Sequence, residues 1–315
     1  MDISIVKKVT VVGMGTMGPD IALGFALGGV TVTGIDINPK MLEQASKKID
    51  ANCQQMVEWG LLEKASVPGV RSRISMSPDW DASVREADYI MEAVPELLEV
   101  KQQVIGRIAE VCRDDVVIAS NTSTMDITEM ARDVKGPERV VGTHWFIPAH
   151  LMPPVEVIPG DKTSESTVSL AFDLLRKAGK LPVLCKNRPG FIHNYVQYAM
   201  VGAAVALVER GIATAEEIDT VIENGFALRL SSTGPFKSMD MTGLDAVINV
   251  FKYLYNKTGE AVYKPSKLLE EKVRVGELGQ KTGKGFFGYT PEAAESSRTM
   301  TNRSVAAVKK ALGKK

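Results

Sequence analysis

Cysteine is scarce in this sequence, whose 315 residues include only Cys53, Cys112 and Cys185. Their odd number, wide separation and lack of a CxxC pair exclude a disulfide framework and favour a reducing compartment. Long hydrophobic runs are also missing, since the most apolar stretch, residues 199–208, is well short of the roughly 20 residues that span a bilayer. The first residues, MDISIVKK, lack the apolar core of a signal peptide. We therefore expect a cytoplasmic protein with no membrane partner.

The sequence has no net charge of either sign. Its 38 Lys and Arg residues balance 38 Asp and Glu residues, which removes the electrostatic basis for nucleic-acid binding. The only local excess is the C-terminal group of Lys309, Lys310, Lys314 and Lys315. Such a group is typical of a solvated helix end, and we assign no function to it.

The order of apolar segments predicts two domains. The first part alternates short β-rich runs with helical patterns, which is typical of parallel strands joined by crossover helices. These runs are residues 9–12, 30–35, 89–94, 116–120, 140–143, 155–158 and 182–184. After Pro189 and Gly190 the strands stop and apolar residues recur at helical spacing, with a capping box at residues 214–217. We predict an α/β domain with a mostly parallel sheet over residues 1–187 and an all-α domain over residues 188–315.

A glycine-rich turn follows the first strand. Gly13, Gly15 and Gly18 match GxGxxG and open a helix, where close backbone approach and unpaired N–H groups suit a pyrophosphate. The next strand ends at Asp36, 23 residues after Gly13, and a carboxylate there binds ribose hydroxyls and repels a 2′-phosphate. This context predicts a Rossmann-like domain that binds NAD, with Met17 among the contacting residues. Strand, motif, helix and terminal acid together favour NAD binding over a glycine turn that binds no ligand. The motif alone does not exclude FAD.

One of three histidines has a candidate partner. His144 follows the strand at residues 140–143, and Glu156 lies inside an apolar run where an unpaired carboxylate is costly to bury. A pair between them would fix the imidazole tautomer and stabilise the imidazolium formed when His144 takes a proton from an alcohol. The competing interpretation is a metal site that adds His150 and His193, but the spacings match no zinc pattern, so we predict no metal.

A polar segment follows another predicted strand. Residues 120–124, SNTST, place hydroxyl and amide groups at a strand end, where they would lie beside a nicotinamide. The alternative is a polar turn that caps a helix starting near Asp126.

With these residues assembled, the sequence resembles the 3-hydroxyacyl-CoA dehydrogenase family over nearly its whole length. The matching segments are GMGTMG at 13–18, EAVPE at 92–96 with Lys101, SNTS at 120–123, HWF at 144–146, VEV at 155–157, PGFIHN at 189–194 and GPF at 234–236. The resemblance implies a Rossmann-like domain followed by a helical substrate and dimerisation domain. It also implies a homodimer that oxidises the 3-hydroxyl of its substrate with NAD in fatty acid metabolism.

The resemblance implies roles for residues at the reacting centre. His144 would be the general base and Glu156 its orienting partner. Ser123 and Asn194 match family positions that bind the substrate oxygen or help to order the site.

The resemblance also implies cofactor contacts. Asp36, Ala93, Glu96 and Lys101 match family positions that contact NAD, besides the glycine turn. The substrate would be a small molecule or a CoA thioester.

Three residues depart from the family pattern. Ile147 replaces an asparagine that lies near the nicotinamide, so that contact is lost or supplied elsewhere. Asp20 stands where a glycine commonly opens the first helix, and Tyr195 replaces an arginine.

The segment at residues 225–235 is longer than the form typical of acyl-CoA enzymes. It looks more like members that act on small acids, such as L-gulonate, carnitine and vitamin B6-degrading dehydrogenases. We hypothesise that Arg229 in this segment forms a bidentate pair with a substrate carboxylate, against the alternative of a surface salt bridge.

Two other functions compete with this interpretation. The 6-phosphogluconate and β-hydroxyacid dehydrogenase family shares a similar turn but uses a catalytic lysine in the interdomain helix, and residues 190–210 contain no lysine. A non-catalytic NAD-binding protein is the second, since the family includes a lens crystallin. The presence of both His144 and Glu156 speaks against lost chemistry.

Overall fold

The computed structural model describes residues 6–313 of the chain. Its internal contacts divide the chain into two compact units, with the division after Met200. Lys314 and Lys315 of the basic C-terminal group lie outside the described residues, whereas Lys309 and Lys310 lie in the last turn of the C-terminal helix. No helix in the described part of the chain is long and apolar enough to cross a membrane.

The N-terminal unit is built on one eight-stranded sheet. Its strands are β1 (Lys8–Val12), β2 (Thr31–Ile35), β3 (Ile74–Ser77), β4 (Tyr89–Glu92), β5 (Val117–Ser120), β6 (Val140–Trp145), β7 (Pro154–Pro159) and β8 (Leu181–Leu184). They lie in the order β3-β2-β1-β4-β5-β6-β7-β8, and every neighbouring pair is parallel except β6 with β7. The predicted mostly parallel, Rossmann-like sheet is confirmed. The strand order reverses between β1 and β4, the position where such sheets bind ligands beyond the carboxyl ends of the strands.

Helices connect these strands. They are α1 (Gly18–Leu27), α2 (Pro39–Glu58), α3 (Val67–Ser72), α4 (Trp80–Arg85), α5 (Leu98–Val111), α6 (Ile127–Met130) and α7 (Glu165–Lys177). Phe25 of α1 and Leu174 of α7 belong to one buried cluster, whereas Ile105 of α5 and Ile127 of α6 belong to another. Alternate strand residues point into the two clusters, so the sheet has an apolar core on each face.

Two features of the sheet differ from the sequence-based expectation. The edge strand β3 was not predicted, because only Ile74 of its four residues is buried and no apolar run marks it. Strand β6 continues to Trp145, so His144 lies within the strand instead of following it. Its pairing with β7 is antiparallel, which apolar content alone does not reveal.

The C-terminal part is helical, as predicted. Its helices are α8 (His193–Glu209), α9 (Ala215–Asn224), α10 (Phe226–Leu230), α11 (Pro235–Thr242), α12 (Leu244–Thr258), α13 (Lys267–Arg274) and α14 (Pro291–Ala311). The capping box is present, since Thr214 and Glu217 exchange side-chain-to-backbone hydrogen bonds at the start of α9. Helix α14 packs against α10, and a buried hydrogen bond of 2.7 Å joins Thr233 to Thr301.

Candidate active site

The glycine turn between β1 and α1 is shaped for a ligand to approach its backbone. Gly13 has φ +96°, and a Cβ there would lie 2.8 Å from the carbonyl group of Ala93. A Cβ on Gly18 would collide with the carbonyl oxygen of Gly13. Gly15, in contrast, has no atom within 4 Å of where its Cβ would be, and it lines an open cleft. Two glycines are therefore needed by the fold, while the third leaves free space for a pyrophosphate.

Asp36 connects the end of β2 to this turn. Its Oδ2 accepts a hydrogen bond of 2.8 Å from the backbone N–H of Met14, and its Oδ1 accepts one of 2.8 Å from Asn38. The same side chain lines the cleft, so the carboxylate that suits a ribose also fixes the turn. Asn38 in turn caps α2 through the N–H of Lys40.

The unusual acid in the first turn of α1 is neutralised inside the fold. Asp20 is buried, with Oδ1 lying 3.0 Å from Lys48 Nζ and accepting a 2.9 Å hydrogen bond from Asn52. Burial raises the pKa of Asp20, but the neighbouring His150 and Lys48 lower it by more than burial raises it, so the net shift is downward. Lys48 also donates to the carbonyl of Thr16 in the glycine turn, at 2.8 Å. The departure at residue 20 is therefore compensated by a charge from α2.

His144 and Glu156 are directly opposite each other on the antiparallel strands β6 and β7. Both side chains are buried, and His144 Nδ1 lies 2.8 Å from Glu156 Oε2. Glu156 Oε1 accepts two further hydrogen bonds, from the backbone N–H groups of Ile192 at 2.9 Å and His193 at 2.8 Å. Burial raises the pKa of Glu156, but the hydrogen bonds from His144 and from the backbone lower it by more than burial raises it. The pKa of Glu156 is therefore lowered overall. An ionised Glu156 makes Nδ1 the donor and leaves Nε2 of His144 to accept a proton.

Two aromatic rings and the first residues of α8 complete the surroundings of His144. Phe146 approaches the imidazole edge to face, with ring centroids 5.0 Å apart, and the ring of Phe191 lies at 5.9 Å. Asn194 donates a hydrogen bond of 2.8 Å to the carbonyl of Ser123. This bond brings together the two segments whose polar residues were predicted to lie near the substrate oxygen.

Glu96 organises the polar segment after β5. Its Oε1 accepts hydrogen bonds from the Thr122 hydroxyl at 2.7 Å, the Ser123 N–H at 2.8 Å and the Ser123 hydroxyl at 3.2 Å. Burial raises the pKa of Glu96, but the hydrogen bond from Thr122 and the charge of Lys101 lower it by more than burial raises it. The pKa of Glu96 is therefore lowered overall. The cap of α6 is Asp126, which accepts from the N–H groups of Thr128 and Glu129, and not a residue of the 120–124 segment.

Lys101 lies beneath this segment instead of on the cleft surface. Only 1% of its side chain is exposed, and Nζ lies 2.8 Å from Glu92 Oε1 and 3.3 Å from Glu96 Oε2. Glu92 is fully buried and also accepts a hydrogen bond from Ser120. Lys101 therefore reaches the cleft through Glu96.

A cleft of about 1060 Å³ joins these features within the N-terminal unit. Of the candidate residues, those that line it are Gly13, Gly15, Met17, Asp36, Ala93, Glu96, Ser123, His144 and Asn194. Gly18, Lys101 and Glu156 lie behind its wall. Ile147, which is 69% exposed, also lines the cleft, so an apolar side chain stands where the resemblance expected an amide.

Arg229 belongs to the C-terminal unit, where it is exposed on α10 and forms no ion pair with another described residue. His150 is buried beside Asp20 at 3.6 Å instead of beside His144. In the described part of the chain, no group of three or more His, Cys, Asp or Glu side chains is arranged to hold a metal ion.

Sequence reasoning missed several cleft residues. Gln197 and Tyr198 of α8 line it, as does Trp80 at the start of α4. The sequence pattern includes Glu92 only as part of a motif, although an acid inside an apolar run is the same signal that identified Glu156. The helical spacing of residues 193, 194, 197 and 198 marks one face of α8, but only the tertiary structure shows that this face borders the cleft.

Comparison with known proteins identifies the family. The sequence model described as "3-hydroxyacyl-CoA dehydrogenase, NAD binding domain" matches residues 8–188, and that described as "3-hydroxyacyl-CoA dehydrogenase, C-terminal domain" matches residues 190–289. The chain belongs to the 3-hydroxyacyl-CoA dehydrogenase family. Within this family the glycine turn and Asp36 are part of the NAD-binding domain, so the cofactor is NAD, as predicted.

Relatives of two kinds are found among the members of the 3-hydroxyacyl-CoA dehydrogenase family. The chain is 35% identical to 5-formyl-3-hydroxy-2-methylpyridine 4-carboxylate 5-dehydrogenase of Mesorhizobium japonicum, over 98% of both chains. It is 34% identical to 3-hydroxybutyryl-CoA dehydrogenase of Clostridioides difficile, over 90% of this chain and 99% of the relative. A solved 3-hydroxyacyl-CoA dehydrogenase from Archaeoglobus fulgidus is 30% identical with a TM-score of 0.83, over 98% of this chain and 100% of that structure.

Proposed function

We propose that the chain is an NAD-dependent oxidoreductase that interconverts a 3-hydroxyacyl and a 3-oxoacyl substrate. The observation that carries this proposal is the buried pair of His144 and Glu156 at 2.8 Å on the wall of a cleft that also contains the glycine turn. A base of this kind is required to remove the hydroxyl proton as the carbon is oxidised.

NAD fits the residues of the cleft. The space at Gly15, the carboxylate of Asp36 and the uncapped first turn of α1 suit its pyrophosphate and ribose. When bound there, NAD⁺ would supply the hydride acceptor for the oxidation of the substrate carbon. Ala93, Glu96 and Met17, which also line the cleft, would contact it, and Lys101 would act through Glu96.

The chain's own residues move the proton. Nε2 of His144 accepts the proton of the substrate hydroxyl, and Glu156 stabilises the resulting imidazolium at Nδ1. Ser123 and Asn194 hold the substrate oxygen, with the Ser123 hydroxyl oriented by Glu96. In the reverse direction the protonated His144 returns its proton to the developing alkoxide.

The test is NADH oxidation, measured by absorbance, with acetoacetyl-CoA and with small 3-oxo acids. His144→Ala should lower kcat by about 10² to 10⁴-fold. NADH binding, followed by its fluorescence, should stay within about twofold because His144 acts on the substrate proton. Undiminished turnover in this variant contradicts the proposal. NADH binding by the wild type without turnover of either substrate class favours the non-catalytic alternative.

A second candidate is a dehydrogenase of a small free hydroxycarboxylate that uses Arg229 to bind the carboxylate. Supporting it, the relative from Mesorhizobium japonicum spans 98% of this chain, whereas the C-terminal family model ends at residue 289, before α14. Helix α14 packs on α10, which contains Arg229. Arg229→Ala should raise KM for the small acid, and an unchanged KM and kcat for every substrate found would reject this role.

We also propose that the protein is cytoplasmic and forms a homodimer. We place its domain boundary near residue 188. All three cysteines are buried free thiols, which suits a reducing compartment. On helix α8, Val201, Val205 and Val208 are 41%, 50% and 43% exposed. They form an apolar surface that is suited to association with a second chain. Light scattering after size exclusion should give twice the 34.1 kDa chain mass, and the monomer mass would reject the dimer.

A further inference from the structure

A second imidazole lies beside the proposed base. The ring of His193 stacks on Phe146, with centroids 4.1 Å apart and planes inclined by 23°, and its centroid lies 6.2 Å from that of His144. The side chain lines the cleft. Glu156 Oε1 accepts the backbone N–H of His193 at 2.8 Å, so the carboxylate that orients His144 also anchors His193. Glu156 therefore holds the backbone of His193 close to His144.

The nitrogens of the His193 ring are available to a ligand. Neither forms a hydrogen bond or ion pair with another residue in the described part of the chain. In contrast, Nδ1 of His144 is hydrogen-bonded to Glu156. An imidazole that is held by stacking and has free polar atoms at a cleft wall is a hydrogen-bond donor without an internal acceptor.

The neighbouring wall of the cleft is polar along α8. Asn194, Gln197 and Tyr198 line the cleft beside His193, and residues 193 and 197 lie one helical turn apart. The charge of Glu156 is already met by His144 and by two backbone N–H groups. The wall formed by α8 therefore offers donors, and the carboxylate of Glu156 is already occupied.

We propose that His193 binds a free carboxylate of the substrate, so that the preferred substrate is a small 3-hydroxy or 3-oxo acid instead of a CoA thioester. This inference rests on the proposed function, because His144 defines the reacting carbon. In such an acid only one methylene separates the carbon bearing the reacting oxygen from the carboxylate carbon. Imidazoles 6.2 Å apart can therefore bind both ends of one molecule. A charge-assisted hydrogen bond favours the carboxylate over an uncharged ester or thioester.

The experiment compares acetoacetate with methyl acetoacetate, which carries the same ketone without the charge. His193→Phe keeps a ring that stacks on Phe146 and removes both nitrogens, whereas His193→Asn restores a donor. We expect His193→Phe to raise KM for acetoacetate by about tenfold or more while kcat changes less than about threefold. KM for the ester should change little, and His193→Asn should recover part of the acid preference.

Several results would overturn the inference. Equal changes in KM for acid and ester would assign His193 a structural role. An effect of Arg229→Ala with none of His193→Phe would assign the carboxylate to Arg229. Turnover of acetoacetyl-CoA but not of acids would overturn the inference while leaving the proposed function intact. Full activity of His144→Ala, in contrast, would reject the proposed function itself. NADH fluorescence titration of each variant shows that its cofactor site is folded.

Discussion

Glu156 faces His144 across a single pair of antiparallel strands, with Oε2 2.8 Å from Nδ1. Residues directly opposite each other in an antiparallel pair place their side chains on the same face of the sheet. The register of β6 and β7 therefore sets the tautomer of the proposed base.

Replacing Glu156 by Gln should remove the negative charge while keeping the shape of the side chain. We expect kcat to fall by about 10² to 10⁴-fold, because Glu156 no longer stabilises the imidazolium of His144. NADH affinity should stay within about twofold, since Glu156 lies behind the cleft wall. The measurement is steady-state kinetics beside an NADH fluorescence titration. A kcat close to wild type would show that Glu156 is only structural.

The glycine turn allows folding and cofactor binding to be separated. Gly13→Ala places a Cβ 2.8 Å from the Ala93 carbonyl at a positive φ, so unfolding free energy should drop by about 1–3 kcal/mol. Gly15→Ala meets no atom within 4 Å and should keep the wild-type Tm. It should nevertheless weaken NADH binding by about tenfold, or about 1.4 kcal/mol, because its methyl group enters the space for the pyrophosphate. Unchanged NADH affinity of Gly15→Ala would place the pyrophosphate elsewhere.

Lys101 should be required mainly for stability. Lys101→Met leaves Glu92 as a fully buried carboxylate without its cation, which should cost about 3–5 kcal/mol of unfolding free energy in urea denaturation. The matched control is Lys47→Met, which breaks the exposed pair with Glu43 and should leave the unfolding free energy nearly unchanged. Similar losses in the two variants would contradict a structural role for the buried pair.

The buried side chain of Lys180 should make the free energy of unfolding depend on pH. It is buried, donates to the carbonyls of Ala149 and Met152, and burial lowers its pKa from 10.5 to about 8. Below pH 8 the lysine is protonated in both the folded and the unfolded chain. Between pH 8 and 10.5 only the unfolded chain keeps the proton, so unfolding free energy rises with pH.

The comparison variant for this prediction is Lys180→Met. Across the window from pH 8 to 10.5, the wild type should gain up to about 3 kcal/mol of unfolding free energy relative to the variant. Urea denaturation at several pH values measures this difference. Parallel pH profiles of the two proteins would reject the lowered pKa.

The local patterns of the chain were predictable because they depend on neighbours in sequence. Alternating strands and helices, the glycine turn and the capping box at Thr214 all follow from short-range periodicity and backbone requirements. The acid inside the apolar run at Glu156 was informative because an unpaired buried carboxylate is costly. Motif resemblance added the family and its cofactor.

Contacts between distant residues were decided only by the tertiary structure. Strand β3 has almost no apolar signal and exists because the edge of β2 offers it backbone partners. Asp20 is tolerated because Lys48 and Asn52 reach it from α2, and Lys101 is buried because Glu92 and Glu96 share its charge. By itself, the sequence determined most of the strands and helices, though not β3, and which residue types are present for chemistry. Tertiary packing decided which side chains meet, because register and long-range burial depend on the whole sheet.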